Sequence, residues 1–168
     1  MTLIFVGGCR SVGKTTQINK ICKMQPQFEH IIVVREMVKL KPIYQQARRI
    51  PRENQLEAIA KIIKRAKKEA ANKTVILDGH YVGTHRAREH IFFPLLQEVA
   101  DQIDKFIILE REIQEIRQRR LDKGKKLTHA ELIRIEADAE LAEFETLRAK
   151  YQRFFLRIRP EELQKKLE

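Results

Sequence analysis

The chain has 168 residues, 43% hydrophobic and 34% charged, with a net charge of +11 and a pI near 9.8. That length and balance fit one folded domain over residues 1–168 and exclude a disordered chain. No apolar run approaches the ~20 residues of a membrane span. The two cysteines, Cys9 and Cys22, have neither metal-site spacing nor disulfide-framework numbers, so a cytoplasmic protein without a membrane partner is expected.

Thr2-Leu3-Ile4-Phe5-Val6 reads as a buried strand running into Gly8-Cys9-Arg10-Ser11-Val12-Gly13-Lys14-Thr15, which satisfies G-x-x-x-x-G-K-[ST]. Gly8 and Gly13 lack a Cβ, so the backbone can curl and present N–H groups to phosphate oxygens. The helix that follows, from Thr16, points its positive dipole end at the same phosphates. This phosphate-binding loop predicts nucleoside triphosphate binding. Lys14 would reach the β- and γ-phosphates, and the Thr15 hydroxyl would ligate Mg²⁺.

Further along, Ile31-Ile32-Val33-Val34 reads as a second strand, and residues 35–72 as an acceptor-side insertion. Its first part, 35–52, reads as irregular, with six basic residues against the single acid Glu36. From Glu53 a helix carries Leu56, Ile59, Ile62, Ile63 and Ala66 at helical spacing. Thr74-Val75-Ile76-Leu77 is a third strand, ending in Asp78-Gly79-His80. A basic loop over 84–88 follows, then a helix near 92–100 and a fourth strand at Lys105-Phe106-Ile107-Ile108-Leu109. A helix over 112–121 leads into a short lid at about 119–130. Thr128, with Glu131 in capping-box position, opens a long helix, and Phe154-Phe155-Leu156-Arg157-Ile158 is a fifth strand. Pro160 starts a closing helix. Both Phe pairs, Phe92-Phe93 and Phe154-Phe155, are expected in the core.

Alternating strands and helices predict an α/β fold, a P-loop NTPase sandwich with a parallel sheet between two helical layers. Ligands bind such sheets at the carboxyl ends of the strands, where the P-loop, Asp78 and Glu110 all fall. Asp78 can orient Mg²⁺ together with Thr15. No N-K-x-D guanine reader is present, because Asn72-Lys73-Thr74-Val75 lacks the Asp. Gly79 stands where hydrolytic ATPases commonly place a water-activating carboxylate. These features favour phosphoryl transfer from ATP to a small phosphorylated acceptor. Such a reaction needs cations over the transferring group and exclusion of water. Arg120, then Arg119, then Arg117 are the candidates, with an ion pair to Glu115 as the plain alternative for Arg119. The excess charge also permits a second reading, an ATP-dependent module acting with RNA or a protein partner.

The P-loop, Arg48-Arg49-Ile50-Pro51-Arg52-Glu53-Asn54-Gln55, Ile76-Leu77-Asp78-Gly79-His80 and Gln118-Arg119-Arg120-Leu121 resemble the archaeal-type adenylate kinases, within the nucleoside monophosphate kinases. The resemblance implies a five-stranded sheet of order 2-3-1-4-5, with ATP over residues 8–16 (Thr16 included). It also implies Arg48 or Arg49 on the acceptor phosphate, Asp78 and His80 beside the reacting groups, and Arg119 and Arg120 closing over ATP. His80 could equally fill space at the sheet edge. His85, Arg86 and Arg88 either contact an acceptor phosphate or form an exposed basic loop. Two departures stand out: Arg10-Ser11 replaces the family's usual Pro-Gly, and the stretch 135–140 is acidic where the family offers Gln and Arg. Carboxylates there would repel phosphate and predict a changed acceptor.

Overall fold

The computed structural model describes residues 2–40, 50–69, 73–85, 88–124 and 129–167. Its centre is β1 (Thr2–Gly7), whose side chains alternate between two faces as a pleated strand requires. Leu3 and Phe5 enter one apolar cluster, Ile4 and Val6 the other. The flanking strands β3 (Thr74–Asp78) and β6 (Lys105–Leu109) repeat this division, so the middle of all three is a continuous apolar run. With β2 (Phe28–Ile32) and β7 (Phe154–Ile158) they form a parallel sheet of order β2-β3-β1-β6-β7. Two further strands, β4 (Val82–His85) and β5 (Arg88–Pro94), pair only with each other, in an antiparallel hairpin. Leaving that hairpin out of the count, the order is the expected 2-3-1-4-5.

Helices cover both faces. α1 (Lys14–Met24) and α6 (Leu163–Leu167) pack on the Ile4 side through Ile18, Ile21 and Leu163. α3 (Arg52–Glu69) and α5 (Ala130–Lys150) pack on the Phe5 side through Ile59, Ile62, Ile63, Phe144 and Leu147. α4 (Ile113–Asp122) follows β6 and leans on α5 through Ile116 and Ile133. Among the described residues no helix is long and apolar enough to cross a membrane.

Several expected boundaries move. The second strand starts at Phe28, and Val33 and Val34 begin α2 (Val33–Leu40) instead of ending a strand. Glu36 explains the helix: its carboxylate takes Lys39 within α2 at 2.7 Å and Arg65 of α3 at 2.5 Å, tying the two helices together. Thr84, His85 and Arg88 of the expected basic loop lie in β4 and β5, residues 86 and 87 being outside the described residues. The helix near 92–100 gives way to the end of β5 and a 3₁₀ turn at Ala100–Gln102. Phe93 is buried, but Phe154 is half exposed beneath Lys105. The long helix opens at Ala130 with His129 as N-cap and no side-chain cap, one residue later than the capping-box reading. Thr128 itself lies outside the described residues. The closing helix begins with a 3₁₀ turn, Pro160–Glu162.

Gly79 has a packing reason. A Cβ there would sit 2.7 Å from Phe5 Cζ and 3.4 Å from Val33 Cγ2. Phe5 cannot retreat, because Tyr81 meets it edge-on at 5.2 Å between ring centres. Overpacking of this kind costs about 1–3 kcal/mol. Gly79→Ala is therefore expected to lower unfolding free energy in urea by that amount, and Phe5→Leu in the same chain to recover part of it. A Gly79→Ala protein of unchanged stability would contradict this packing.

Candidate functional site

The loop after β1 is built on positive φ angles at Gly8 (126°), Ser11 (69°) and Gly13 (119°). Gly8 is further required by space, since a Cβ there would lie 2.4 Å from the Leu109 carbonyl oxygen. The carbonyls from Gly8 to Val12 are all taken by side-chain cations. Lys14 Nζ donates to Gly8 O at 2.5 Å and to Cys9 O at 3.3 Å. An Arg120 N–H donates to Arg10 O at 3.1 Å, Arg119 Nε to Ser11 O at 2.9 Å and Arg111 Nε to Val12 O at 2.9 Å. A loop whose oxygens are all neutralised by cations is an anion site by charge as well as by shape.

At the carboxyl edge of the sheet, the register sets Asp78 beside Val6. Thr15 Oγ1 donates to Asp78 Oδ2 at 2.5 Å, and His30 Nε2 lies 3.3 Å from the same oxygen. His30 is fixed by Asn19, whose Oδ1 is 2.8 Å from Nδ1. Burial works to raise the Asp78 carboxyl, but the hydrogen bonds from His30 and Thr15 and the charge of Lys14 outweigh it and hold its pKa below the ordinary value. Asp78 is ionised at neutral pH. Two contiguous oxygen donors of this kind fit Mg²⁺, which prefers few protein ligands supplemented by substrate phosphates.

α5 contributes two buried carboxylates that motif reading does not place. Glu136 accepts from the Arg10 backbone N–H at 2.6 Å and from Arg120 at 2.9 Å. Burial alone would raise its pKa, yet the Arg10, His80 and Arg120 charges and the Arg10 N–H bring it down to about 2. Glu140, 1% exposed, lies 2.6 Å from His80 Nδ1 and accepts from the Tyr81 backbone N–H at 2.8 Å. Glu136 and Glu140 are thus already partnered by protein groups instead of confronting phosphate bare. Cys9 is buried against this cluster, and burial pushes its thiol up, so it stays protonated.

A cavity of about 860 Å³ opens over these groups. Ser11, Gly13, Lys14, Thr15, Thr16 and Asp78 line it together with the apolar Val33, Met37, Val82, Phe92 and Leu95, and Arg35, Lys39 and Lys123 also reach it. His80 and Glu140 stand in its wall. Of the expected site residues, Gly8, Cys9, Arg10, Ser11, Val12, Gly13, Lys14, Thr15, Thr16, Asp78, His80, Arg119 and Arg120 gather at this edge. Arg48, Arg49 and Arg86, and the lid residues 125–128, lie outside the described residues. One expectation changes. Glu115 pairs with Arg111 at 2.8 Å and Arg159 at 3.1 Å, leaving Arg119 to the loop. Glu110 is engaged by Arg157. Arg111, His30, Glu136 and Glu140 were not picked out as site residues. The i, i+4 spacing of the two glutamates, on the face that carries Ile133, Phe144 and Leu147, is the signal that could have found them.

Glu136 has a folded pKa of about 2 against an ordinary value of 4.5. A depressed carboxyl stabilises the fold above its unfolded pKa and loses that contribution as pH falls through the folded one. Glu136→Gln is therefore expected to cost roughly 3 kcal/mol at pH 7, with the deficit narrowing between about pH 4.5 and 2. Urea unfolding of both proteins across that window measures it. A deficit independent of pH would contradict the assignment.

The family model described as an AAA domain (AAA_17) matches residues 8–137. Among solved structures, a shikimate kinase from Bacteroides thetaiotaomicron superposes with a TM-score of 0.63 at 14% identity, covering 99% of this chain and 98% of that one. A gluconokinase from Sinorhizobium meliloti 1021 gives 0.54 at 13% identity, covering 98% and 87%. A chain of the Pnkp1/Rnl/Hen1 RNA repair complex gives 0.56 at 10% identity, covering 90% of this chain but 46% of that one. Comparison with curated protein sequences finds no match. At such identities the likeness shows a shared P-loop kinase-like fold. The chain belongs to the AAA domain (AAA_17) family of P-loop proteins.

Proposed function

We propose that this protein is a single-domain phosphotransferase that moves the γ-phosphoryl group of Mg-ATP to a small acceptor. The observation that carries this reading is one cavity lined both by a phosphate loop and by a set of apolar side chains. Such a chamber serves to hold an acceptor and to exclude water, which would otherwise compete for the phosphoryl group. Gly79, which has no carboxylate to activate water, fits the same reading.

The roles follow from chemistry. Loop N–H groups and the start of α1 would bind the β- and γ-phosphates, with Lys14 turning from the Gly8 and Cys9 carbonyls toward them. Thr15 and Asp78 would hold Mg²⁺. When bound, that ion neutralises charge building on the triphosphate. Arg119 sits at the mouth of the loop and is the better placed of the two lid arginines to reach the transferring group. Arg120, buried between Glu136 and the Arg10 carbonyl, would shape the loop.

Two acceptors compete for the chamber. A nucleoside monophosphate follows from the adenylate kinase-like motifs, with its phosphate on Arg48, Arg49 and Arg86. A hydroxyl compound is favoured by the described wall, where aliphatic and aromatic groups surround His80. The gluconokinase and shikimate kinase neighbours support a small-molecule acceptor. The alternative, an ATPase working with RNA, draws on the +11 charge and the RNA repair neighbour. It would show as steeply salt-dependent RNA binding. Two free thiols, Cys9 and Cys22, accord with a reducing cytoplasm.

ADP formation measured with and without a panel of small hydroxyl compounds and nucleoside monophosphates tests the reading. Acceptor-dependent turnover that Lys14→Ala lowers at least about 100-fold is expected. Turnover independent of every acceptor would overturn it. Arg119→Ala is expected to lower kcat while changing stability by under about 1 kcal/mol. Arg120→Ala, which takes one buried donor from Glu136 and from the Arg10 carbonyl, should cost about 1–3 kcal/mol of stability. Equal effects of the two on unfolding would show that their surroundings do not differ as described.

A further inference from the structure

We propose that the acceptor reacts through a hydroxyl group received by His80 Nε2, and that Glu140 is the positioning residue that sets the imidazole for this task. The inference rests on the phosphotransferase reading and names its acceptor class.

Glu140 is buried in α5, and both of its oxygens are engaged, one with His80 Nδ1 at 2.6 Å and one by the Tyr81 N–H at 2.8 Å. A carboxylate only accepts hydrogen bonds, so Nδ1 must carry the proton of this contact. In the neutral ring Nε2 then holds a lone pair. The His80 side chain is 32% exposed and lines the cavity, which leaves that nitrogen available to a ligand. The Tyr81 N–H locks the carboxylate from the other side, so the orientation is over-determined. Tyr81 is in turn fully buried, edge-on to Phe5 at 5.2 Å and to Phe144 of α5 at 5.4 Å.

The other two carboxylates described at this edge, Asp78 and Glu136, are committed elsewhere. Asp78 Oδ2 meets Thr15 and His30, and Glu136 serves the P-loop and Arg120. His80 is thus the group in this part of the wall with an open acceptor nitrogen. A phosphate oxygen needs no such partner, since a monophosphate is already largely deprotonated at pH 7. A hydroxyl must lose its proton as it reacts. Val33, Met37, Val82, Phe92 and Leu95 in the cavity lining suit the carbon face of a hydroxyl compound.

In the transfer, a lone pair of the acceptor oxygen forms the new bond to Pγ. The bond from Pγ to the β,γ-bridging oxygen breaks, its electron pair leaving with ADP. The hydroxyl proton passes to His80 Nε2, and the imidazolium so formed faces the Glu140 carboxylate. Phosphoryl-transfer transition states are mostly loose, so His80 chiefly aligns the nucleophile and receives its proton late.

The test uses the full chain with paired acceptors, hexoses and ribonucleosides against the monophosphate of each. At least tenfold higher kcat/KM for the unphosphorylated members is expected; preference for the monophosphates overturns the inference while leaving a kinase. ADP formation with no member of any pair removes the phosphotransferase reading and this inference with it. Nitrogen-15 NMR of His80 in the unaltered protein should show Nδ1 protonated and Nε2 bare, and the reverse tautomer would overturn the role given to Glu140. Glu140→Gln has one acceptor oxygen for two donors, so the tautomer should shift and kcat fall about 10²–10⁴-fold with KM for ATP little changed. Should that variant not fold, His80→Gln, at a partly exposed position, supplies the same kcat measurement. A kcat unchanged by His80→Gln contradicts the proposal.

Discussion

The site depends on how the oxygens of one loop are neutralised. Between Gly8 and Val12 the backbone takes three excursions into unusual geometry, counting Gly13 just beyond, and each carbonyl there finds a lysine or arginine. An isolated loop of this shape would collapse, because left-handed φ at Ser11 and crowded carbonyls are unfavourable. α4 supplies the remedy with Arg119 and Arg120, and Arg111 just before it adds a third guanidinium. The sheet supplies the rest by register, setting Asp78 against Val6 so that the first turn of α1 meets it through Thr15.

α5 joins the two halves of the cavity. One turn of helix separates Glu136, which holds the loop, from Glu140, which holds His80. Both carboxylates are buried, and a buried acid is tolerated only when its hydrogen-bonding capacity is met. Here the partners are the very groups that chemistry at this edge would use. The loop and His80 are therefore both braced by one rigid element, which places them more accurately than two independent loops could.

Much of this was legible in the sequence. The P-loop could be read because its glycines and its Lys-Thr answer strict local needs, and β1, β3 and β6 because central strands buried on both faces carry continuous apolar runs. The second strand was displaced: Phe28-Glu29-His30 looks polar, and Val33-Val34 looks like strand, yet the clamp of Glu36 by Lys39 and Arg65 favours helix there. Local propensity yielded to a tertiary contact. The hairpin was hidden for a related reason. Gly83 lets the Phe93 ring pack within 2.3 Å of where its Cβ would be, an interaction between residues ten apart that helical spacing cannot reveal. The acidic stretch was noticed but read as a repulsive surface. Its meaning turned on which positions face inward, and Glu136 and Glu140 share the buried stripe with Phe144 and Leu147.

The central claim is that residues 8–15, with Asp78, form a polyphosphate site whose lysine changes partners when the ligand arrives. The most direct measurement is a crystal structure with Mg²⁺ and a non-hydrolysable ATP analogue. The account predicts the β- and γ-phosphates inside the loop, Lys14 Nζ moved from the Gly8 and Cys9 carbonyls onto them, and one ion shared by Thr15 and Asp78. An analogue bound away from the loop, or Lys14 still on those carbonyls with the triphosphate in place, would contradict it.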